Sequence, residues 1–348
     1  MKKLQLKRKK KEVALPPRIT NETVAEHRER ILAGGRRFKY PIQYSRHRLV
    51  INTILISMAA LLLAALVAWH QLYIAQNSSN LFYRLTRIVP LPVANVEGES
   101  VRYSDYLMRY RSSLHYLEGM KQIDLSKREG RNQAESIKSL AMNSAVADAY
   151  AQKIAEERSI SIDQKRVDEF EKLSQAGLSQ DAYESVTQDV FNWTPEEARH
   201  IIRQTLLRQD VAFAVDENAA NLKRQVTEAI ASGKSLEQIS KDMGQSVMYA
   251  DQGFISKENE DGGLTDAAIK LEKGKTSEVV RTSAGDGYYF VHHIESNEEQ
   301  IHYAYLKIPL TKFENDLKKL REANKVDYHI KINPASTATT PVPNSRGE

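Results

Sequence analysis

Residues able to do chemistry are sparse in this chain, and their types exclude more than they offer. The absence of cysteine rules out thiol nucleophiles, disulfide staples and thiolate metal sites. The adjacent pair His292-His293 invites a metal reading, but neighbouring strand residues point to opposite faces. No carboxylate stands at ligand spacing around them, so neither a metal nor any other cofactor is expected. Ser, His and Asp are all present, yet no nucleophile elbow or Gly-rich phosphate loop surrounds them. The acidic pairs Glu156-Glu157 and Glu298-Glu299 lack the apolar setting that general acid-base work requires and read as solvated faces. His302 stands near the start of Gln300 to Ile308, an alternating apolar run that predicts a strand. From the residues alone it is a strand-end histidine.

The element that must position everything else is Leu49 to Trp69, 21 positions without a charge. That is long enough to cross the ~30 Å hydrocarbon core of a bilayer as one helix. Its polar side chains, Asn52, Thr53 and Ser57, lie in its first half, where a hydroxyl can bond back along the helix. Trp69 and Tyr73 suit one headgroup layer, and Tyr40 and Tyr44 are candidates for the other. Residues 1–48 hold fifteen Lys and Arg against four Glu, leaving 35 basic and 41 acidic groups in the rest. By the positive-inside rule the N-terminus is expected in the cytoplasm and the remainder outside it. The expected localisation is the cell membrane, with a single pass that reads as an uncleaved signal anchor.

Before the span, the basic run and Pro pair of MKKLQLKRKKKEVALPPR cannot form a packed core. The run reads as a solvated, topology-setting tail; anionic lipid is a candidate partner for it, and no specific nucleic acid is expected. Asn21 to Ala33 predicts a short helix capped by Asn21 and stopped by Gly34-Gly35. After the span, residues 71–92, with Asn77-Ser78-Ser79-Asn80 and Pro90-Leu91-Pro92, read as a connector. A strand, a turn at Gly98 and a helix after Ser104 are expected next. A long helix over residues 134–158 follows, with Ile137, Leu140, Ser144, Ala147, Ala151 and Ile154 on one face. Asp163 and Ser179 are N-cap candidates, and Thr194-Pro195-Glu196-Glu197 combines a capping box with Pro at the first helical position.

The stretch VANVEGESVRYSD from Val93 to Asp105, together with this ordered series of helices, resembles the N-terminal chaperone domain of SurA-type and PrsA-type extracytoplasmic foldases. The resemblance covers residues 93–215. Residues 216–297 resemble a parvulin-type prolyl isomerase domain. Its landmarks are Ser235 to Ile239, Gln252-Gly253-Phe254-Ile255, Leu264 to Leu271, Lys273 to Val280, and Gly287-Tyr288-Tyr289-Phe290-Val291. The resemblance implies a cofactor-free groove in which two histidines, an Asp or Cys, and a Met/Leu-Phe pair hold a proline ring. Carried onto this chain, Tyr289 stands at the last-strand His position and Leu264 at the Phe position. Asp251 is the remnant of the Asp/Cys in a shortened loop, Met248 to Gln252. The family's first strand has no counterpart except Val211 to Val215. His302 is the remaining groove candidate, entering from a permuted position if its strand folds back to complete the sheet.

The expected architecture is therefore α+β: one transmembrane helix over 49–70, a mostly helical chaperone domain, and a parvulin-like small antiparallel sheet with surrounding helices. Residues 298–332 are expected to supply a return strand and helix completing the body, with a helix carrying Phe313, Leu317 and Leu320. Residues 333–348 form a Pro/Ser/Thr-rich tail expected to be disordered. The resemblance implies a membrane-tethered chaperone or foldase that binds unfolded or nascent exported polypeptides, with an eroded isomerase site. The alternatives are a working prolyl isomerase with a rearranged groove and a non-enzymatic envelope scaffold.

Overall fold

The computed structural model of the chain describes residues 19–39, 41–175 and 177–332. The basic run before Ile19, Tyr40 and the tail from Asn333 lie outside the described residues. The fold is α+β, in two units, Met1–His70 and Gln71–Glu348.

In the first unit, α1 (Asn21–Lys39) passes through Gly34-Gly35 instead of ending there. A glycine costs a helix only ~1 kcal/mol against alanine, and the Arg and Lys that follow favour helix. Asn21 is the first helical residue and not the cap. The Thr23 hydroxyl ties the preceding turn, accepting from Thr20 N at 3.0 Å and donating to Thr20 O at 2.8 Å. Helix α2 (Pro41–Trp69) opens on a proline, whose missing N–H would be unpaired at that position anyway. With a π-helical turn, His70–Ile74, it gives an apolar helix over His47–Ile74 long enough to cross a membrane. Thr53 makes the expected back-bond, donating to Leu49 O at 2.8 Å.

The second unit starts with residues that composition assigned to a connector. Leu72 is fully buried, and its carbonyl accepts from the Tyr103 hydroxyl at 2.6 Å. Tyr73 donates to Pro92 O at 2.7 Å. Helix α3 (Asn80–Ile88) buries Tyr83 and Thr86. Residues 71–92 are thus a packed element: the polar Asn-Ser turn hides apolar anchors on both sides of it.

Strands β1 (Pro92–Val96) and β2 (Glu99–Arg102) form a hairpin. Its two central residues, Glu97 and Gly98, have φ of 50° and 86°, the backbone that a tight two-residue hairpin demands. Helices α4 (Tyr103–Gly119), α5 (Arg128–Arg158), α6 (Gln164–Ser174), α7 (Gln180–Phe191) and α8 (Pro195–Val215) follow. Asp163, Ser179 and Thr194 each accept a backbone N–H at the start of their helix, and Thr194 with Glu197 closes a full capping box. Tyr103, Tyr106, Leu107, Met142, Val146 and Val211 are among the core that α4, α5 and α8 share, while Val167 of α6 packs with Ile202 and Leu206 of α8. Val211 to Val215 is therefore the end of α8 and not a strand.

Helices α9 (Glu217–Ala231) and α10 (Leu236–Met243) lead into β3 (Met248–Ser256), α11 (Leu264–Ile269), β4 (Gly287–Ser296) and β5 (Gln300–Pro309). The chain ends its described course in α12 (Lys312–Glu322) and β6 (Val326–Tyr328). There are two three-stranded antiparallel sheets, ordered β2-β1-β6 and β3-β5-β4. The expected return segment is divided between them. Strand β5 becomes the centre of the second sheet, whereas Phe313, Leu317 and Val326 join the helical core. Where the chain crosses between these parts, near residues 216 and 311, one buried carboxylate holds both passes. Asp216 accepts from Ala219 N, Thr311 N and Lys312 N at 2.8–3.0 Å.

Candidate functional site

Side chains alternate across a strand, so β5 sorts the candidate residues. Ile301 and Tyr303 lie on one face, in a cluster with Tyr289 and Val291 of β4 and Leu264 and Ala268 of α11. Leu306 and Ile308 lie on the other, packed with Tyr288 and Phe290 and with Val226, Leu236 and Ile239 of α9 and α10. His302 shares this second parity. The four candidates therefore form two pairs on opposite faces: Tyr289 with Leu264, and His302 with Asp251.

The first pair is closed. Tyr289 and Leu264 are each only 6% exposed, and the neighbouring side chains fill the space above the strand. The Tyr289 hydroxyl donates to Asp286 Oδ1 at 2.9 Å, and Lys307 Nζ lies 2.5 Å from Asp286 Oδ2 and 5.4 Å from the centre of the Tyr289 ring. Burial works to raise the Asp286 carboxyl, but hydrogen bonds from Lys307 and Tyr289 outweigh it and hold the group below the usual carboxylate range. Burial works against the Lys307 charge too, and Asp286 and Tyr289 still raise it. Burial pushes the Tyr289 phenol up. Tyr305 stacks at a tilt on Tyr289, with ring centres 5.6 Å apart. Beside this cluster Asp261 anchors the start of α11, accepting from Thr265 N at 2.8 Å and from the Tyr303 hydroxyl. Neutral phenols and a satisfied ion pair thus occupy the face where the resemblance implies histidines.

The second pair is open. His302 Nε2 donates to Asp251 Oδ1 at 2.7 Å, and the Phe254 ring, 48% exposed, lies 5.3 Å from the imidazole. Asp251 sits on strand β3, not in a loop. A bulge between Asp251 and Phe254, with Gly253 at φ 63°, turns both side chains toward His302. The Gly253 backbone N–H and then His302 hold the Asp251 carboxyl below its ordinary value. No family model and no curated protein matches this chain.

The two edges of the sheet differ as sharply as its faces. The outer edge of β4 is covered by residues 274–280, with Val280 N and Tyr289 O 2.7 Å apart and Ser277 N and Val291 O 2.8 Å apart. Strand β3 pairs with β5 alone among the described residues. It leaves a nine-residue edge with Met248 58% exposed. In the helical part, a cavity of about 420 Å³ lies between β2, α5 and α8, lined by charges of both signs including Arg102, Asp105, Asp148 and Arg203. The two carboxylates among these are paired, Asp148 with Arg109 and Arg208 and Asp105 with His200. His292 and His293 leave β4 on opposite faces, their Nδ1 atoms bonded to Thr276 Oγ1 and Leu271 O.

Reasoning from sequence missed Asp286, Lys307, Tyr305 and Phe254. The signal for Tyr305 and Lys307 was the alternation of β5 itself, which sets them on the face of Tyr289; Asp286, just before β4, had no such signal. The contact of Phe254 with His302 depends on a bulge that no residue type announces.

Proposed function

We propose that this chain is a membrane-tethered binding protein for unfolded, exported polypeptides, working outside the cytoplasm and holding its clients without isomerising them. One observation carries the reading: the sheet β3-β5-β4 is filled on the face of Tyr289 and Leu264, where the resemblance implies a proline groove, and open along the edge of β3. An exposed strand edge offers unsatisfied N–H and C=O groups to an extended chain, and alternate apolar side chains add sequence-tolerant contact. Met248 and Phe254 supply that contact here. The resemblance to SurA-type and PrsA-type foldases supports the chaperone assignment. The basic excess before the span supports a cytoplasmic N-terminus, and the tether raises the concentration of binding sites at the surface where clients emerge. Anionic lipid remains the proposed partner of the basic tail.

The test is suppression of aggregation of a thermally unfolded model protein by the full chain in nanodiscs. Wild type suppresses light scattering, and Met248→Lys with Phe254→Lys, which alters only exposed side chains, loses most of that effect. Absence of suppression by wild type overturns the reading.

One arrangement favours a second reading. His302, Asp251 and the exposed Phe254 bring an imidazole, a carboxylate and an apolar ring together, the residue types an Xaa-Pro isomerase groove uses. An isomerase built on this edge would lose activity in His302→Ala.

A further inference from the structure

Helix α3 is apolar on both sides, and only one side is covered. Phe82, Tyr83 and Thr86 turn inward, the last two buried and Phe82 packed on the core. On the opposite side Leu81, Leu85 and Ile88 follow at i, i+4 and i+7, one stripe of a helix. Leu81 is 73% and Ile88 81% exposed, and Val89, just past the helix, is 43% exposed. Arg84 lies between Leu81 and Ile88 on the same side, whereas Arg87 turns to Glu197, 3.4 Å away. A helix with an apolar stripe and a basic residue beside it is suited to lie in the plane of a membrane interface.

Two observations place that interface within reach. The apolar helix long enough to span a membrane ends at Ile74, six residues before α3 begins. The chain then doubles back: Asn77 N donates to Gln71 O at 2.8 Å and Asn77 Nδ2 to Gln71 Oε1 at 3.1 Å. Asn80 is therefore three residues from a position bonded to the last turn of the span, at most about 10 Å of extended chain. Leu72 and Tyr73, buried and hydrogen-bonded as described, fasten that last turn to the same core that holds Tyr83. The exposed stripe therefore begins within a few residues of the end of the apolar helix.

We infer that the outer face of α3 is a membrane-docking surface, with Leu81, Leu85 and Ile88 entering the boundary between headgroups and acyl chains and Arg84 meeting anionic headgroups. The occupant is the bilayer that the same chain crosses. This rests on the reading of His47–Ile74 as a transmembrane anchor. Docking would fix the pose of the second unit relative to the membrane and hold it close to the surface.

The chain has no cysteine, so single labels are unambiguous. Leu81→Cys, Ile88→Cys, Leu62→Cys in the span and Leu173→Cys on α6, an exposed apolar position far along the chain, each carry an environment-sensitive fluorophore in the full chain. The chains are reconstituted in vesicles of mixed phosphatidylcholine and phosphatidylglycerol with doxyl-labelled lipid as quencher. The expected result is blue-shifted emission and quenching at positions 81 and 88, intermediate between the deep label at 62 and the aqueous label at 173. Quenching at 62 with water-like emission at 81 and 88 overturns the inference and leaves the anchor intact. Water-like emission at 62 overturns the anchor and the inference with it. A blue shift at 81 and 88 that needs an added unfolded protein, and is not quenched by lipid, assigns the face to clients and overturns the membrane proposal. Where docking occurs, Arg84→Glu reduces the quenching at 88, and neutral vesicles reproduce that reduction.

Discussion

Asp286 decides how the closed face behaves, because it joins Tyr289 to Lys307. Its carboxyl is held below the usual range by those two partners in spite of burial. A carboxylate depressed in the folded state adds stability above its unfolded value, ~3.9, and that stability is lost as pH falls through the lower folded value. Asp286→Asn should therefore be less stable than wild type near neutrality, by ~1 kcal/mol after allowance for a carboxylate that is 45% exposed. The two proteins should converge in acid. Urea unfolding from pH 7 down to pH 3 measures the convergence; a difference that grows on acidification contradicts the assignment. Residue types alone could single out Tyr289, Leu264, Asp251 and His302 as chemically interesting. Their division into two pairs was not legible, because it depends on which strand β5 joins and in what register, and one step of register exchanges the faces.

At the scale of elements, the starts of helices were the most legible features, because a cap is decided by residues three apart. Thr194→Ala removes the capping box of α8 and should cost ~1 kcal/mol, read as a lower midpoint in thermal unfolding with an unchanged secondary structure signal. Features set by distant partners were hidden. Gly34-Gly35 did not stop α1, a polar turn concealed the packing of α3, and β5 looked like part of a return segment although it is the middle strand of a sheet. That position gives a contrast to measure. Leu306→Ala, fully buried on β5, should cost roughly 2–5 kcal/mol. Phe254→Lys on the exposed edge should change stability by no more than ~0.5 kcal/mol. Equal losses at the two positions would mean that the β3 edge is covered in solution.

For the whole molecule, the α+β class and the apolar span were both visible in the pattern of residues, since long uncharged runs and alternating runs report directly on their surroundings. The joining of the second unit's parts was not visible. It rests on Asp216, which receives three backbone N–H groups from two distant stretches of chain. Asp216→Ala removes the acceptor of all three, leaving the buried Ala219 N–H without a partner, and should cost about 2 kcal/mol. Asp216→Asn keeps an acceptor oxygen and should cost less. Hydrogen exchange at Ala219, Thr311 and Lys312 would locate the loss, and protection unchanged at those amides would contradict the role given to the carboxylate.

The central claim is that this sheet holds extended chains without turning their prolines. The most direct test is NMR of an unfolded apolar peptide with a single Xaa-Pro bond, titrated with the full chain in nanodiscs. The account predicts line broadening along the peptide, lost in Met248→Lys with Phe254→Lys, while the cis and trans signals exchange at the uncatalysed rate. Accelerated exchange that disappears in His302→Ala would contradict it and make the open edge an isomerase site.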